Sequence, residues 1–113
     1  MRSINKNRVN RRGERIGYWE YYYSNGNIKY RGLYKDGKKD GLWEWYYENG
    51  KIECKGSYKA GYRDGYWEIY YDNGNISSKG LYKDGDREGL WETYDVDGNI
   101  KMVYGSFIIS MVN

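Results

Sequence analysis

Carboxylates and one thiol are the side chains of this sequence whose types could support catalysis. Acidic residues stand 24 positions apart at Glu20, Glu44, Glu68 and Glu92, and a pair of carboxylates can act as general acid and base. Cys54 is the only cysteine, and the chain has no histidine. A Cys–His nucleophile is therefore excluded within the chain, and no second cysteine could share a metal ion. We predict no catalytic residue, no metal site, no cofactor and no enzyme activity.

Aromatic side chains are the stronger candidates, and their chemistry is binding. The chain has 16 Tyr and 5 Trp among 113 residues. These rings bury a large apolar area, and the exposed ones supply much of the energy of protein interfaces. Packing on one another is the first role of rings at such regular spacing, and we predict that the accessible ones contact a protein partner. The predicted partner-binding residues are Trp19, Tyr21, Tyr23, Trp43, Trp45, Tyr47, Trp67, Tyr71 and Trp91.

Basic residues dominate the start of the chain, where Glu14 is the only acid among residues 1–16. In a chain of net charge +3, this segment and the aromatic rings could together bind RNA or single-stranded nucleic acid. No standard nucleic-acid-binding motif accompanies them. The residues predicted for a nucleic acid or another anionic partner are Arg2, Lys6, Arg8, Arg11, Arg12 and Arg15.

Acidic phospholipids are a further alternative ligand, which would need a basic or apolar stripe. Lys35, Lys59 and Lys83 recur as a column, but Asp36 and Asp84 stand beside two of them. Membrane binding is therefore disfavoured. We expect no signal peptide, and the sequence has no apolar run near the length of a membrane span. We expect a cytoplasmic location, in the host cytoplasm if the chain is phage-encoded.

Hairpins are the elements that must position these residues. The runs between turns are aromatic and β-branched enough to be strands. Two-residue type I′ turns, which need positive φ at both central positions, are predicted at Asn25-Gly26, Asn49-Gly50, Asn73-Gly74 and Asp97-Gly98. Longer polar turns are predicted at Lys35–Asp40, Lys59–Asp64 and Lys83–Glu88.

A two-residue turn would fix the pairing of the strands beside it. The pairs predicted around Asn25-Gly26, which recur in later repeats, are Trp19–Gly32, Glu20–Arg31, Tyr21–Tyr30 and Tyr23–Ile28. In three repeats, Trp19, Trp43 and Trp67 would then each cover the glycine opposite, and Glu20, Glu44 and Glu68 would each lie beside a base. A cross-strand pair of this kind is a structural feature, and a catalytic pair would not recur in every repeat. One face would carry the tryptophans, and the other would mix ion pairs with aromatic rings.

The repeats predict one all-β domain, a single-layer antiparallel β-meander of tandem hairpins with a period of 24 residues. An insertion near Gly105 predicts a β-bulge in the fourth unit, and the apolar tail Phe107–Val112 predicts a cap or a dimer contact. The predicted divisions are a basic half-repeat at 1–16, full repeats at 17–40, 41–64 and 65–88, and a degenerate repeat with a C-terminal cap at 89–113.

The repeated motif resembles the variant MORN (membrane occupation and recognition nexus) repeat. It is clearest in Asp40-Gly-Leu-Trp-Glu-Trp-Tyr-Tyr-Glu-Asn-Gly-Lys-Ile52 and Lys55-Gly-Ser-Tyr-Lys-Ala-Gly61. The resemblance implies a meander of successive hairpins. It also implies a scaffold that binds proteins, since MORN-like arrays mostly do so and some are described as binding acidic phospholipids. Bacterial proteins of this variant repeat are often labelled as antitoxin-like or immunity-like.

We therefore predict a non-catalytic module that binds and inhibits a partner enzyme, such as a toxin, a nuclease or a defence enzyme. Nucleic-acid binding through the basic segment and the aromatic face is the alternative. An open sheet also has edges that invite pairing. A homodimer through a strand edge or through the C-terminal tail is therefore a further expectation.

Overall fold

Residues 6–105 of the chain are described by a computed structural model, in which they form nine antiparallel strands. The strands are β1 (Arg8–Val9), β2 (Arg15–Tyr22), β3 (Ile28–Lys35), β4 (Lys38–Tyr46), β5 (Ile52–Lys59), β6 (Tyr62–Tyr70), β7 (Ile76–Lys83), β8 (Asp86–Tyr94) and β9 (Ile100–Tyr104). They make one sheet whose spatial order equals the chain order. The predicted all-β meander is confirmed. No helix within residues 6–105 is long and apolar enough to span a membrane.

The register of the hairpins agrees with the prediction near the tryptophans. Trp19 lies opposite Gly32 and Glu20 opposite Arg31 between β2 and β3. The same pairs recur between β4 and β5 and between β6 and β7. Each glycine also has a second neighbour, because Gly32 lies opposite Trp43 on β4. Every inner strand therefore pairs with its own hairpin partner and with the adjacent repeat.

The Asn-Gly turns differ from the type I′ prediction. Of their two residues only the glycine has a positive φ, which is 93° at Gly26. The Gly26 amide donates to the Tyr23 carbonyl at 3.0 Å, and the Asn25 side chain accepts from the Asn27 amide at 2.9 Å. This is a type I turn followed by a left-handed glycine, which makes a three-residue loop. The loop shifts the pairing by one residue, so the predicted Tyr23–Ile28 pair is wrong.

The two-residue turns occur in the links that were predicted to be longer. Lys35 pairs with Lys38, leaving Asp36 and Gly37 as the whole turn. Both have positive φ, 51° and 85°, as a type I′ turn requires. Equivalent turns lie at Ala60-Gly61 and Asp84-Gly85. The lysines and acids beside these turns were predicted to be part of them, but they lie in the strands.

At the N-terminal end, residues 8–16 form a short hairpin in which Arg8 pairs with Ile16 and Val9 with Arg15. The basic segment is therefore tied to the sheet by β1. Residues 1–5 of the predicted half-repeat at 1–16 lie outside the described residues.

At the C-terminal end, β9 pairs with β8 without interruption from Met102 to Tyr104. The bulge was predicted at the insertion near Gly105, where the described residues end, and it stays a prediction. Tyr104 occupies the position that glycine has in the other repeats, opposite Trp91. The predicted cap or dimer contact at 107–112 lies outside the described residues.

Candidate interaction surfaces

Tryptophans bind the sheet together across repeats. The Trp67 ring lies over Gly56 of the preceding hairpin, where an added Cβ would be 2.1 Å from Trp67 Cδ2. Its Nε1 donates to the Ser57 carbonyl at 3.0 Å on the same preceding strand. Trp43 over Gly32 and Trp91 over Gly80 repeat the arrangement. The predicted contact with the glycine of the following strand is wrong, because the indole N–H finds its acceptor on the preceding one.

These three tryptophans, which we call the indole row, are the core of the sheet. Trp43, Trp67 and Trp91 are 0%, 1% and 1% exposed. A tyrosine ring packs edge-on against each of them, as Tyr58 does on Trp67 at 5.4 Å between centroids. The indole row cannot touch a partner directly, although it was predicted to do so. The other predicted partner-binding residues are partly exposed, and their role stays a prediction: Trp19, Tyr21, Tyr23, Trp45, Tyr47 and Tyr71.

Three of those tyrosines have a structural contact that the sequence did not reveal. The hydroxyls of Tyr23, Tyr47 and Tyr71 donate to backbone carbonyls of the next repeat, each at 2.6 Å. The neighbouring turn asparagines reinforce this edge, since Asn25 Nδ2 donates to the Glu48 carbonyl at 3.2 Å. These hydroxyls therefore hold successive hairpins in register.

Four cations cover the tryptophans on their outer side. Arg15, Lys39, Arg63 and Arg87 recur every 24 residues, and we call them the cation column. Their charged groups lie 5.2, 5.1, 4.8 and 4.0 Å from the centroids of Trp19, Trp43, Trp67 and Trp91, respectively. These are cation–π distances. The column was not predicted, because Arg15 belongs to the basic segment of the sequence and the other three lie in stretches that are typical of polar turns. The available signal was a base four residues before each tryptophan of the 24-residue series, Trp19, Trp43, Trp67 and Trp91.

The opposite face carries a row of ion pairs. Each glutamate contacts the base of the preceding strand: the N–O distances are 2.8 Å for Lys6–Glu20 and Arg31–Glu44, and 3.7 Å for Lys55–Glu68 and Lys79–Glu92. The predicted partners, such as Arg31 for Glu20, lie opposite in register but do not form the ion pair. Tyrosine hydroxyls also donate to these carboxylates, as Tyr70 does to Glu68 at 2.6 Å. These contacts hold the strands together at all four glutamates, and a structural role was predicted for Glu20, Glu44 and Glu68.

Glu20 makes the fold sensitive to acid. Burial opposes its ionisation, but hydrogen bonds from Lys6, Tyr18 and Tyr22 outweigh burial and lower its pKa from 4.5 to about 2. Since the folded-state pKa is depressed, the ionised group stabilises the fold above pH 4.5, and this contribution is lost as the pH falls towards 2. We expect the free energy of unfolding to fall across this window, measured by urea titration at a series of pH values.

Glu20→Gln should flatten that part of the pH profile and lower stability at neutral pH. Asp97→Asn is the matched control, because the other repeats have Asn at the same position of the turn. A Glu20→Gln profile that stays parallel to that of the wild type between pH 4.5 and 2 would show that this carboxylate does not link stability to pH.

Apolar side chains are exposed on the face of the ion pairs. Leu33, Leu42, Tyr66, Leu81 and Leu90, which we call the leucine stripe, are between 43% and 51% exposed. Two equivalent shallow grooves lie along it, one between Leu33 and Leu42 and one between Leu81 and Leu90. Each groove is bordered by a paired base and glutamate, Arg31 with Glu44 or Lys79 with Glu92. These residues lie on the face that was predicted to mix ion pairs with aromatic rings, and none of them was predicted as a site.

The predicted anionic-partner residues are spread over several elements. Lys6 donates to both Glu20 and Tyr22 at 2.8 Å. Arg12 pairs with Glu14 at 3.1 Å in the exposed turn after β1. Arg8 stands in β1, Arg11 in the turn and Arg15 in β2, while Arg2 lies outside the described residues. Nucleic-acid binding by this set stays a prediction.

Cys54 lies on the aromatic face, partly buried against the core. Burial, with a smaller contribution from Glu53, raises the pKa of its thiol to about 11. Such a thiol is protonated at neutral pH and is a poor nucleophile. Within residues 6–105 no group of three His, Cys, Asp or Glu side chains could hold a metal ion.

The hairpins coincide with units of a known repeat. The family model described as MORN repeat variant matches residues 15–36, 39–60 and 63–84. These ranges cover β2–β3, β4–β5 and β6–β7, so that each match is one hairpin with its Asn-Gly turn. No curated protein and no solved structure matches the chain.

Proposed function

Because the chain belongs to the MORN repeat variant family, whose repeats generally mediate binding, we propose that it is a non-catalytic module that binds a protein partner and inhibits it. The partner would be an enzyme of the same cytoplasm, such as a toxin, a nuclease or a defence enzyme. The leucine stripe carries this proposal, because its side chains stay 43% to 51% exposed on a sheet that buries its indole row.

A protein is the occupant that suits this surface best. The bases beside the stripe, Arg31 and Lys79, are held by Glu44 and Glu92, so they offer little free charge to a phosphate. An apolar strip with a polar border resembles the arrangement of protein interfaces, where the buried centre is apolar and the rim is polar. The partner would therefore present apolar side chains to the two grooves. Inhibition is the more specific part of the proposal, and its motive is the label antitoxin-like that bacterial proteins of the variant repeat often carry.

Two substitutions in the grooves test the surface. We expect Leu42→Asp and Leu90→Asp together to weaken the complex by roughly 30-fold or more, as the loss of interface hot spots does. Both side chains are exposed, so the substitutions should leave stability within about 0.5 kcal/mol. Val96→Asp is the control, because Val96 is 49% exposed and lies in a turn outside the stripe.

The partner itself can be found by photo-cross-linking from position 42 or position 90 and then identified by mass spectrometry. The purified pair should form a complex of fixed stoichiometry, and the activity of the enzyme should fall to its endpoint at that ratio. A complex that survives both aspartates but not Val96→Asp would refute the assigned surface. A stoichiometric complex in which the enzyme keeps full activity would refute inhibition.

A further inference from the structure

The cation column forms a row of positive charges at regular spacing. Its members stand on β2, β4, β6 and β8, so that one strand separates each from the next. Two strand separations amount to about 9.4–9.8 Å. Because each charged group packs on a tryptophan ring, with Arg87 only 4.0 Å from the Trp91 centroid, the spacing is held by the core.

No carboxylate neutralises this row among residues 6–105. Arg15, Lys39, Arg63 and Arg87 form no ion pair within 4.0 Å there. On the opposite face, by contrast, each of the four glutamates forms an ion pair with a lysine or an arginine. Arg63 uses one donor on the Tyr82 hydroxyl at 3.1 Å, which leaves its charge uncompensated. The face of the indole row therefore offers uncompensated positive charge to an anionic ligand, although the tryptophans buried beneath the cations are apolar.

Partly exposed rings lie beside the column. The rings of Tyr21 and Tyr30 pack together with their centroids 4.3 Å apart, and the ring of Tyr30 also packs on Trp45 with a centroid distance of 6.1 Å. Because these rings use their faces on one another, they leave little room for stacked bases, which single-stranded nucleic acids need. An aromatic surface of this kind suits an extended chain that lies across the rings. In other domains, polyproline II segments dock on aromatic side chains.

The geometry points to an acidic polypeptide in the polyproline II conformation as the ligand of this face. That helix has three residues per turn and rises about 3.1 Å per residue, so that every third side chain points the same way at about 9.3 Å. Acidic residues at every third position would therefore meet successive members of the cation column. Four such residues would span about 28 Å, which matches three intervals of about 9.4–9.8 Å across the sheet. This surface lies opposite the leucine stripe and does not depend on the proposed inhibition.

A synthetic peptide tests the inference on the intact chain. We expect (Glu-Pro-Pro)4 to bind, measured by fluorescence anisotropy at low ionic strength, and to bind roughly tenfold more tightly than a peptide of the same composition whose four glutamates are adjacent. Two further probes are an RNA oligonucleotide and vesicles that contain acidic phospholipid. They show whether the cation column prefers an acidic peptide, a nucleic acid or a lipid surface. Equal affinity for both peptides, no peptide binding, or tighter binding of RNA or vesicles would overturn the inference.

Matched variants place the peptide on the correct face. Lys39→Met with Arg63→Met keeps apolar stems on the indoles but removes two charges, and should weaken (Glu-Pro-Pro)4 binding by roughly 2- to 30-fold. Lys39→Arg should restore most of the contribution of that position. Lys55→Met removes a charge from the opposite face and should change the affinity less than twofold. An equal loss in Lys55→Met and in the double variant would overturn the assignment. If the double variant does not fold, the comparison of the two peptides still decides.

Discussion

Replacing Trp67 with alanine is expected to lower the free energy of unfolding by about 3–5 kcal/mol, the usual range for removing a large buried aromatic side chain. Trp67 is 1% exposed. The substitution removes the ring over Gly56, the edge contacts with Tyr58 and Tyr82, and the hydrogen bond to the preceding strand. Since single domains are stable by only about 5–15 kcal/mol, much of the array should unfold at low denaturant concentration.

Trp19→Ala is the matched control for this experiment. Trp19 is the first tryptophan of the series and is only partly buried, so its loss should cost clearly less. Urea unfolding followed by far-ultraviolet circular dichroism gives both values. A Trp67→Ala cost no greater than that of Trp19→Ala would contradict the assignment of the indole row as the core.

Gly56→Ala is expected to cost about 3 kcal/mol, at the upper end of the range for overpacked cores. An added Cβ would lie 2.1 Å from Trp67 Cδ2 and 2.2 Å from Trp67 Cε2, so the ring must move. Gly56 does not have a positive φ. The penalty should therefore come from the ring and not from the backbone.

A glycine with a positive φ and open space beside it is the control for Gly56→Ala. Gly65 has a φ of 95° and nothing within 4 Å of an added Cβ, so Gly65→Ala should cost only the backbone strain, about 1–2 kcal/mol. Thermal or urea unfolding of both variants measures the difference. A smaller loss in Gly56→Ala than in Gly65→Ala would contradict the steric origin of the glycine column.

Much of the sheet could be predicted from the sequence because the period fixes the strand register. Once Trp19 is placed opposite Gly32, the alternation of a strand determines which residues share a face. The period could not determine which of two neighbours a side chain contacts. Glu44 lies beside Lys55 and beside Arg31, and it pairs with Arg31 at 2.8 Å. That choice depends on side-chain rotamers, which a sequence pattern does not contain.

The two kinds of turn were predicted in each other's places, because the sequence does not show where the strands end. Asn25-Gly26 and Asp36-Gly37 are both favoured in type I′ turns, and the sequence offers no direct measure of where the flanking strands end. In the structure, the Asn25 side chain satisfies the Asn27 amide and supports the longer loop. The strands beside Asp36-Gly37 extend to Lys35 and Lys38. Polar composition was therefore a poor guide to strand ends in this small sheet.

The surfaces were the least predictable part. The residues predicted to bind a partner are all aromatic, because exposed aromatic rings supply much of the energy of interfaces. In the structure, however, Trp43 is 0% exposed, whereas Leu42, its neighbour in sequence, is 51% exposed. In a single-layer sheet the largest rings cover one another, since no second layer covers them. The exposed leucines on the opposite face then become the apolar surface that is available to a partner.

A double-mutant cycle tests most directly whether the indole row joins each repeat to the one before it. We expect Gly56→Ala and Trp67→Ala to be coupled by about 2 kcal/mol or more, because the added Cβ finds room once that ring is gone. Gly56→Ala and Trp43→Ala should be coupled clearly less strongly, although Trp43 also lies opposite Gly56 in register, because the atoms nearest to the added Cβ all belong to Trp67. Coupling of Gly56 to Trp43 as strong as that to Trp67, or additivity with Trp67, would contradict the contact between repeats on which this structure depends.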